Sequence, residues 1–179
     1  MNKKGFTLIE LLATITILAM IMLVAVPNIM STLDKSKRRT YVEDAKKMIS
    51  LAEYKVRSDT TIGVPYDQTV AVAFTLNSMD LTDFSEGPEG GIYDLNRSYV
   101  LLIRKDNEYL YFVTLVEKYG SGSDIKYRGV DTMDYNSLLR EDAVNNVIDF
   151  TDTNLPTTPV EGNNKLINDK TYTIVKVIS

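Results

Sequence analysis

The chain has no cysteine, so it can form no disulfide, offer no thiol nucleophile and bind no metal through thiolate. It has no histidine either, which removes the usual general base near neutral pH and the commonest metal ligand. Any chemistry would rest on Asp, Glu, Lys, Ser or Tyr, and neither a Gly-rich phosphate cradle nor an internal repeat is evident. These absences argue against an enzyme, and no cofactor is expected. Tryptophan is missing as well, although tyrosine is plentiful at 11.

The formal net charge of −4 over 179 residues conceals an uneven distribution. Residues 34–57 carry eight Lys/Arg against four Asp/Glu, whereas residues 58–179 carry ten against nineteen. A basic stem is therefore joined to an acidic head. An acidic head does not attract nucleic acid, and no specific nucleic-acid partner is expected. The length suits one compact domain with an appendage.

That appendage is N-terminal. After Glu10 the next charge is Asp34, and the residues between are mostly Leu, Ile, Met, Val and Ala. Such a run exceeds the ~20 residues a helix needs to span a bilayer. Lys3 and Lys4 precede it, which keeps the N-terminus cytoplasmic and sends the rest across the membrane. A secretory signal peptide needs a shorter apolar core and a small-residue cleavage site, and a lipoprotein needs a cysteine. A plain anchor fits the hydropathy but leaves Glu10 unexplained, since a carboxylate at a membrane helix centre costs about 2.5–3.5 kcal/mol or more.

The stretch Lys3-Lys4-Gly5-Phe6-Thr7-Leu8-Ile9-Glu10 resembles the leader and cleavage motif of the type IV prepilin family, the class III signal peptide of pilins and pseudopilins. The resemblance implies cleavage after Gly5 by a prepilin peptidase, with Phe6 as the N-methylated mature first residue. Glu10 falls at the family's glutamate and Pro27 at its first-helix proline, so Phe6, Glu10 and Pro27 are the expected assembly residues. The charge then has a physical use. Cleavage creates an α-ammonium at Phe6, and Glu10 of an incoming subunit would pair with that of a docked neighbour, each charge being costly alone in hydrocarbon. The plainer reading is a stray carboxylate near the membrane surface.

Helical spacing continues beyond the apolar run. Val42, Ala45, Ile49, Ala52 and Val56 step by three and four and mark one apolar face. The expected organisation is a leader at 1–5, a membrane and assembly helix at 6–33, an amphipathic stem helix at 34–57 and an acidic, β-rich head at 58–179. Pro27 predicts a kink, because it removes a backbone bond and crowds the carbonyl of Leu23. Lys35, Lys37, Arg38 and Arg39 predict headgroup contact or packing against the acidic heads of neighbouring subunits.

In the head, Tyr99–Arg104 and Tyr109–Val116 predict a hairpin, and Lys165–Ile167 with Thr171–Ile178 a second one around Asn168-Asp169-Lys170. Residues 69–75 read as a strand or short packed segment, 85–91 and 119–124 as loops, and 136–147 as a short helix. The fold class expected is α+β, a long helix packed on an antiparallel sheet, as the pilin resemblance also implies. Many Gram-negative pilins close their C-terminal region with a disulfide; this chain lacks one, which points to a Gram-positive source. Asp124, Asp131 and Asp134 are candidate calcium ligands, weighed against a solvated acidic loop.

The function expected from the resemblance is a structural subunit of a type IV pilus. Alternatives are a minor pilin with a binding head, a pseudopilin of a secretion or competence machine, or a membrane anchor with no assembly role. The partners implied are prepilin peptidase, further copies or other pilins, and the membrane before assembly.

Overall fold

The computed structural model describes residues 7–179, in two units that divide between Ser36 and Lys37. Helix α1 (Leu8–Ser58) belongs to both and is continuous through Pro27. In the first unit, nearly every side chain from Thr7 to Ser36 is exposed. The most apolar 18-residue window of α1 has a mean hydropathy of 2.5 and no buried residue, so the helix is long and apolar enough to cross a membrane.

In the second unit, α1 packs by the expected face. Val42, Ala45, Ile49 and Ala52 are buried, and Tyr41, Asp44 and Met48 join them on the same side. They meet an eight-stranded sheet: β1 (Val70–Thr75), β2 (Ile92–Tyr93), β3 (Tyr99–Lys105), β4 (Glu108–Tyr119), β5 (Lys126–Asp134), β6 (Ile148–Phe150), β7 (Asn164–Ile167) and β8 (Lys170–Ile178). The order is β6-β5-β4-β3-β1-β8-β7, with β2 added to β4. Alternation along the central strands divides the core. Val72, Phe74, Val100, Leu102, Val113 and Leu115 share one cluster with α1, while Ala71, Ala73, Tyr99, Leu101, Ile103 and Phe112 form a second cluster with Tyr172 and Ile174. Both faces of β1 are thus covered, which is why all six of its residues are buried.

The α+β class and both hairpins are as expected. Asn168 and Asp169, at φ 47° and 62°, make the tight turn of the second hairpin. One pairing differs: β1 and β8 run parallel, while every other pair is antiparallel. The C-terminal hairpin enters beside the first head strand, and the long chain between them permits a parallel register.

Three further readings are corrected. β5 occupies a stretch with no strand expectation; it is held by pairing to β4 and β6 on its two sides. Within it Gly129 lets β4 approach, since a Cβ there would stand 1.8 Å from the Leu115 carbonyl oxygen. The expected 136–147 helix is instead α2 (Tyr135–Leu139) followed by a 3-10 turn at Glu141–Asn146, broken at Arg140, whose backbone is extended. Finally, β4 runs past Val116 to Tyr119 and carries Glu117 inside the protein.

Candidate functional site

Of the residues singled out at the N-terminus, Gly5 and Phe6 lie outside the described residues, and with them the expected Phe6–Glu10 pairing. Glu10 lies inside and has a local partner. Its Oε2 accepts the Thr7 backbone N–H at 2.9 Å and the Thr7 hydroxyl at 2.8 Å, while Thr7 Oγ1 accepts the Glu10 N–H at 3.4 Å. This is a capping box, in which each of two otherwise orphaned amides at a helix start donates to the other residue's side chain. Its sequence signal, Thr-x-x-Glu before an apolar run, is present at 7–10. The Glu10 carboxylate, which a plain anchor leaves unexplained, fixes the first turn of α1.

Pro27 sits inside α1, where it cannot donate to the Leu23 carbonyl. One residue on, Asn28 Nδ2 donates to the Val24 carbonyl at 3.1 Å, so a side chain supplements the backbone ladder beside the proline. Thr14 and Thr16 turn their hydroxyls back onto the carbonyls of Leu11 and Ala13, both at 2.8 Å. Polar groups in this apolar unit are thereby satisfied within the helix, as a lipid environment demands.

Part of the basic cluster has partners within its own chain. Lys37 Nζ donates to Glu89 at 2.6 Å, and Arg38 Nη1 to the Val147 carbonyl at 2.6 Å. Two of the four cations are committed to their own head, because the stem passes directly beside these acceptors. Around them lies a buried polar seam. Glu117, wholly buried on β4, accepts the Tyr41 hydroxyl and the backbone N–H groups of Glu89 and Gly91. Tyr93 donates its hydroxyl to Asp44 at 2.6 Å. Glu89 also accepts Arg128 Nη1 at 2.7 Å. Burial, then the bond to Glu117, pushes the Tyr41 hydroxyl above the phenol range. Burial, then the bond to Asp44, does the same to Tyr93. Little in the sequence points to this seam, because a charge at 117 reads as a strand end.

The three candidate calcium ligands have separate partners. Asp124 pairs with Lys126 at 3.2 Å. Asp131 accepts the hydroxyls of Thr114 and Thr132 and lies 3.4 Å from Lys165 Nζ. Asp134 caps α2 through the Ser137 N–H and hydroxyl. Among the described residues no group of three or more acidic side chains is placed to hold a metal ion.

No curated protein and no solved structure matches the chain. A family model does: the prokaryotic N-terminal methylation motif, over residues 1–26. The matched residues correspond to the class III signal-peptide motif of type IV pilins and pseudopilins, which supports a precursor of that kind.

Proposed function

We propose that the chain is a subunit of a type IV pilus, cleaved after Gly5 by prepilin peptidase, N-methylated at Phe6, held in the cytoplasmic membrane by α1 and then packed through that helix into a surface filament. The observation that carries the reading is the N-terminal unit itself. The methylation motif overlaps the first part of α1, where the apolar side chains up to Leu33 are almost all exposed, the residues from Leu11 to Leu33 are uncharged, and Glu10 is the one ionisable group in the first turn. A surface that is apolar all round must be covered by lipid or by other helices, and a filament replaces the first cover with the second. The filament would serve adhesion, twitching motility or DNA uptake. The chain's role is mechanical, with no catalysis of its own.

In this reading Glu10 has two states. Before assembly its carboxylate closes the capping box with Thr7. After cleavage the Phe6 ammonium lies next in sequence to Thr7, and in a filament a neighbour's ammonium takes the charge. Electron microscopy of the cell surface with and without this chain, together with mass spectrometry of sheared material, tests the proposal. Filaments that vanish with the chain and consist mostly of it are expected. Filaments in which it is rare would assign it to a minor pilin, and its absence from any surface fibre to a pseudopilus or an anchor.

A further inference from the structure

Between β1 and β3 the chain makes an excursion from Leu76 to Ser98 that returns to its starting point. Thr75 and Tyr99 face each other in the sheet, and just beyond them the Leu76 N–H donates to the Ser98 carbonyl at 2.8 Å. The excursion crosses the stem, with Phe84 and Tyr93 stacked edge to face at 5.9 Å and Tyr93 against Tyr41 at 6.5 Å. Its only strand, β2, contributes two residues of pairing.

Leu76, Phe84 and Tyr93 anchor it in the core cluster that also holds the stem's Tyr41 and Met48, and its polar ties converge on one side chain. The Glu117 carboxylate receives the excursion's Glu89 N–H at 3.1 Å and its Gly91 N–H at 2.8 Å, along with the Tyr41 hydroxyl from the stem. The loop lies so close to that carboxylate that a Cβ at Gly87 would stand 2.2 Å from Glu117 Cδ. Further ties are Glu89 to Lys37 and Arg128, and Tyr93 to Asp44. A buried carboxylate solvated by amides from one loop holds that loop strongly, and loses its hold when it can no longer accept.

We propose that residues 76–98 form a strap that opens and closes as one unit over the stem, hinged at the Thr75–Tyr99 pair and latched by Glu117. Opening breaks the two-residue β2 pairing, the bonds to Glu117, the ties of Glu89 and Tyr93, the Asp94 N–H bond to the Val116 carbonyl and the Lys55 bond to the Ser78 carbonyl, and it withdraws Phe84 and Tyr93 from the core, but it breaks no ladder bond between β1 and β3 or between β3 and β4. It uncovers Tyr41 and Asp44 on the stem and Glu117 on the sheet. A segment that enters and leaves the sheet at one point can open locally, below the global unfolding limit. The proposal concerns the head alone and stands whether or not the chain polymerises.

Hydrogen exchange read by mass spectrometry, on the full chain in detergent micelles, tests it with Glu117→Gln. The amide side chain keeps the volume but cannot accept on both arms. Amides in 79–97 are expected to exchange about tenfold faster, the equivalent of roughly one lost hydrogen bond, while those in β3 and β4 stay within about twofold. Acceleration of strap and strands together would show Glu117 to be a general support of the fold, and an unchanged strap would show that it latches nothing; either overturns the proposal. Should Glu117→Gln fail to fold, Lys37→Met removes the strap's separate tie from Glu89 to the stem; amides in 79–97 are again expected to exchange faster than those in β3 and β4, and uniform acceleration or an unchanged strap overturns the proposal.

Discussion

Lys165 of β7 holds its ammonium 3.4 Å from Asp131 Oδ1 on β5 and 5.9 Å from the centre of the Tyr99 ring. Four strands separate β7 from β5 in the sheet, so the contact requires the sheet to curl until its edge returns across itself. At Asp131 the register of β5 slips against β4, and Thr132 takes φ 51°, a left-handed conformation that is unfavourable for a β-branched residue. The bulge is held by bonds that converge on Asp131 and Thr114. A chain without cysteine thus fastens its last hairpin with an ion pair set on a strained bulge.

Lys165→Met should therefore lower stability by about 0.5–1 kcal/mol, a modest figure because Asp131 is partly exposed and solvent screens the pair. Urea denaturation gives the loss, and hydrogen exchange should place the loosening in β7 and β8 ahead of β3 and β4. Uniform loosening across the sheet would contradict the fastening role.

The buried phenols set an alkaline limit. Tyr41 and Tyr93 are held above the ordinary value of 10.0, first by burial and then by their carboxylate partners. The unfolded chain releases these protons first, so their contribution is complete below pH 10 and is lost as pH rises beyond it. Each should remove about 1.4 kcal/mol per pH unit in that range. Tyr41→Phe should flatten the alkaline slope by one such increment, while lowering stability near neutrality by about 1–3 kcal/mol because Glu117 loses a donor. Equilibrium denaturation as a function of pH checks both, and an unchanged slope would contradict the burial.

Two glycines separate a packing role from an open one. A Cβ at Gly129 would meet the Leu115 carbonyl oxygen, whereas one at Gly63 would meet nothing within 4 Å. Gly129→Ala should cost about 2–4 kcal/mol, and Gly63→Ala should stay within about 0.5 kcal/mol of the parent. Similar thermal midpoints for the two variants would contradict the close approach of β4 and β5.

These elements also show how far the sequence could be read. The stem face was legible because Val42, Ala45, Ile49 and Ala52 repeat at helical spacing. Tyr41 and Asp44 on the same face were not, because burying them depends on Glu117 and Tyr93, distant in the chain. Both hairpins were legible from apolar runs around short polar turns. β5 was not, since Arg128, Gly129 and Asp131 interrupt any alternation and the strand is held by neighbours on both sides. At the N-terminus the motif pointed to Gly5, Phe6 and Glu10, but the Thr7 cap lay unread beside them. The acidic triad looked like a site only while its threonine, serine and lysine partners were out of view.

The capping box sharpens the test of Glu10. Glutamine serves at the third position of such a box as glutamate does, yet it carries no charge. Glu10→Gln should keep the helix start and be processed normally, but fail to enter filaments. Normal assembly of Glu10→Gln would show that the cap, not a charge pair with a neighbour, is what Glu10 supplies.

In the proposed function, cleavage after Gly5 turns the chain into an assembling subunit. Intact-mass measurement of the chain sheared from the cell surface reads it directly. The account predicts a polypeptide that begins at Phe6, lacks residues 1–5 and bears a methyl group on its amino terminus, with Gly5→Ala accumulating uncut in the membrane. A surface fibre built from chains that retain Met1 would contradict it.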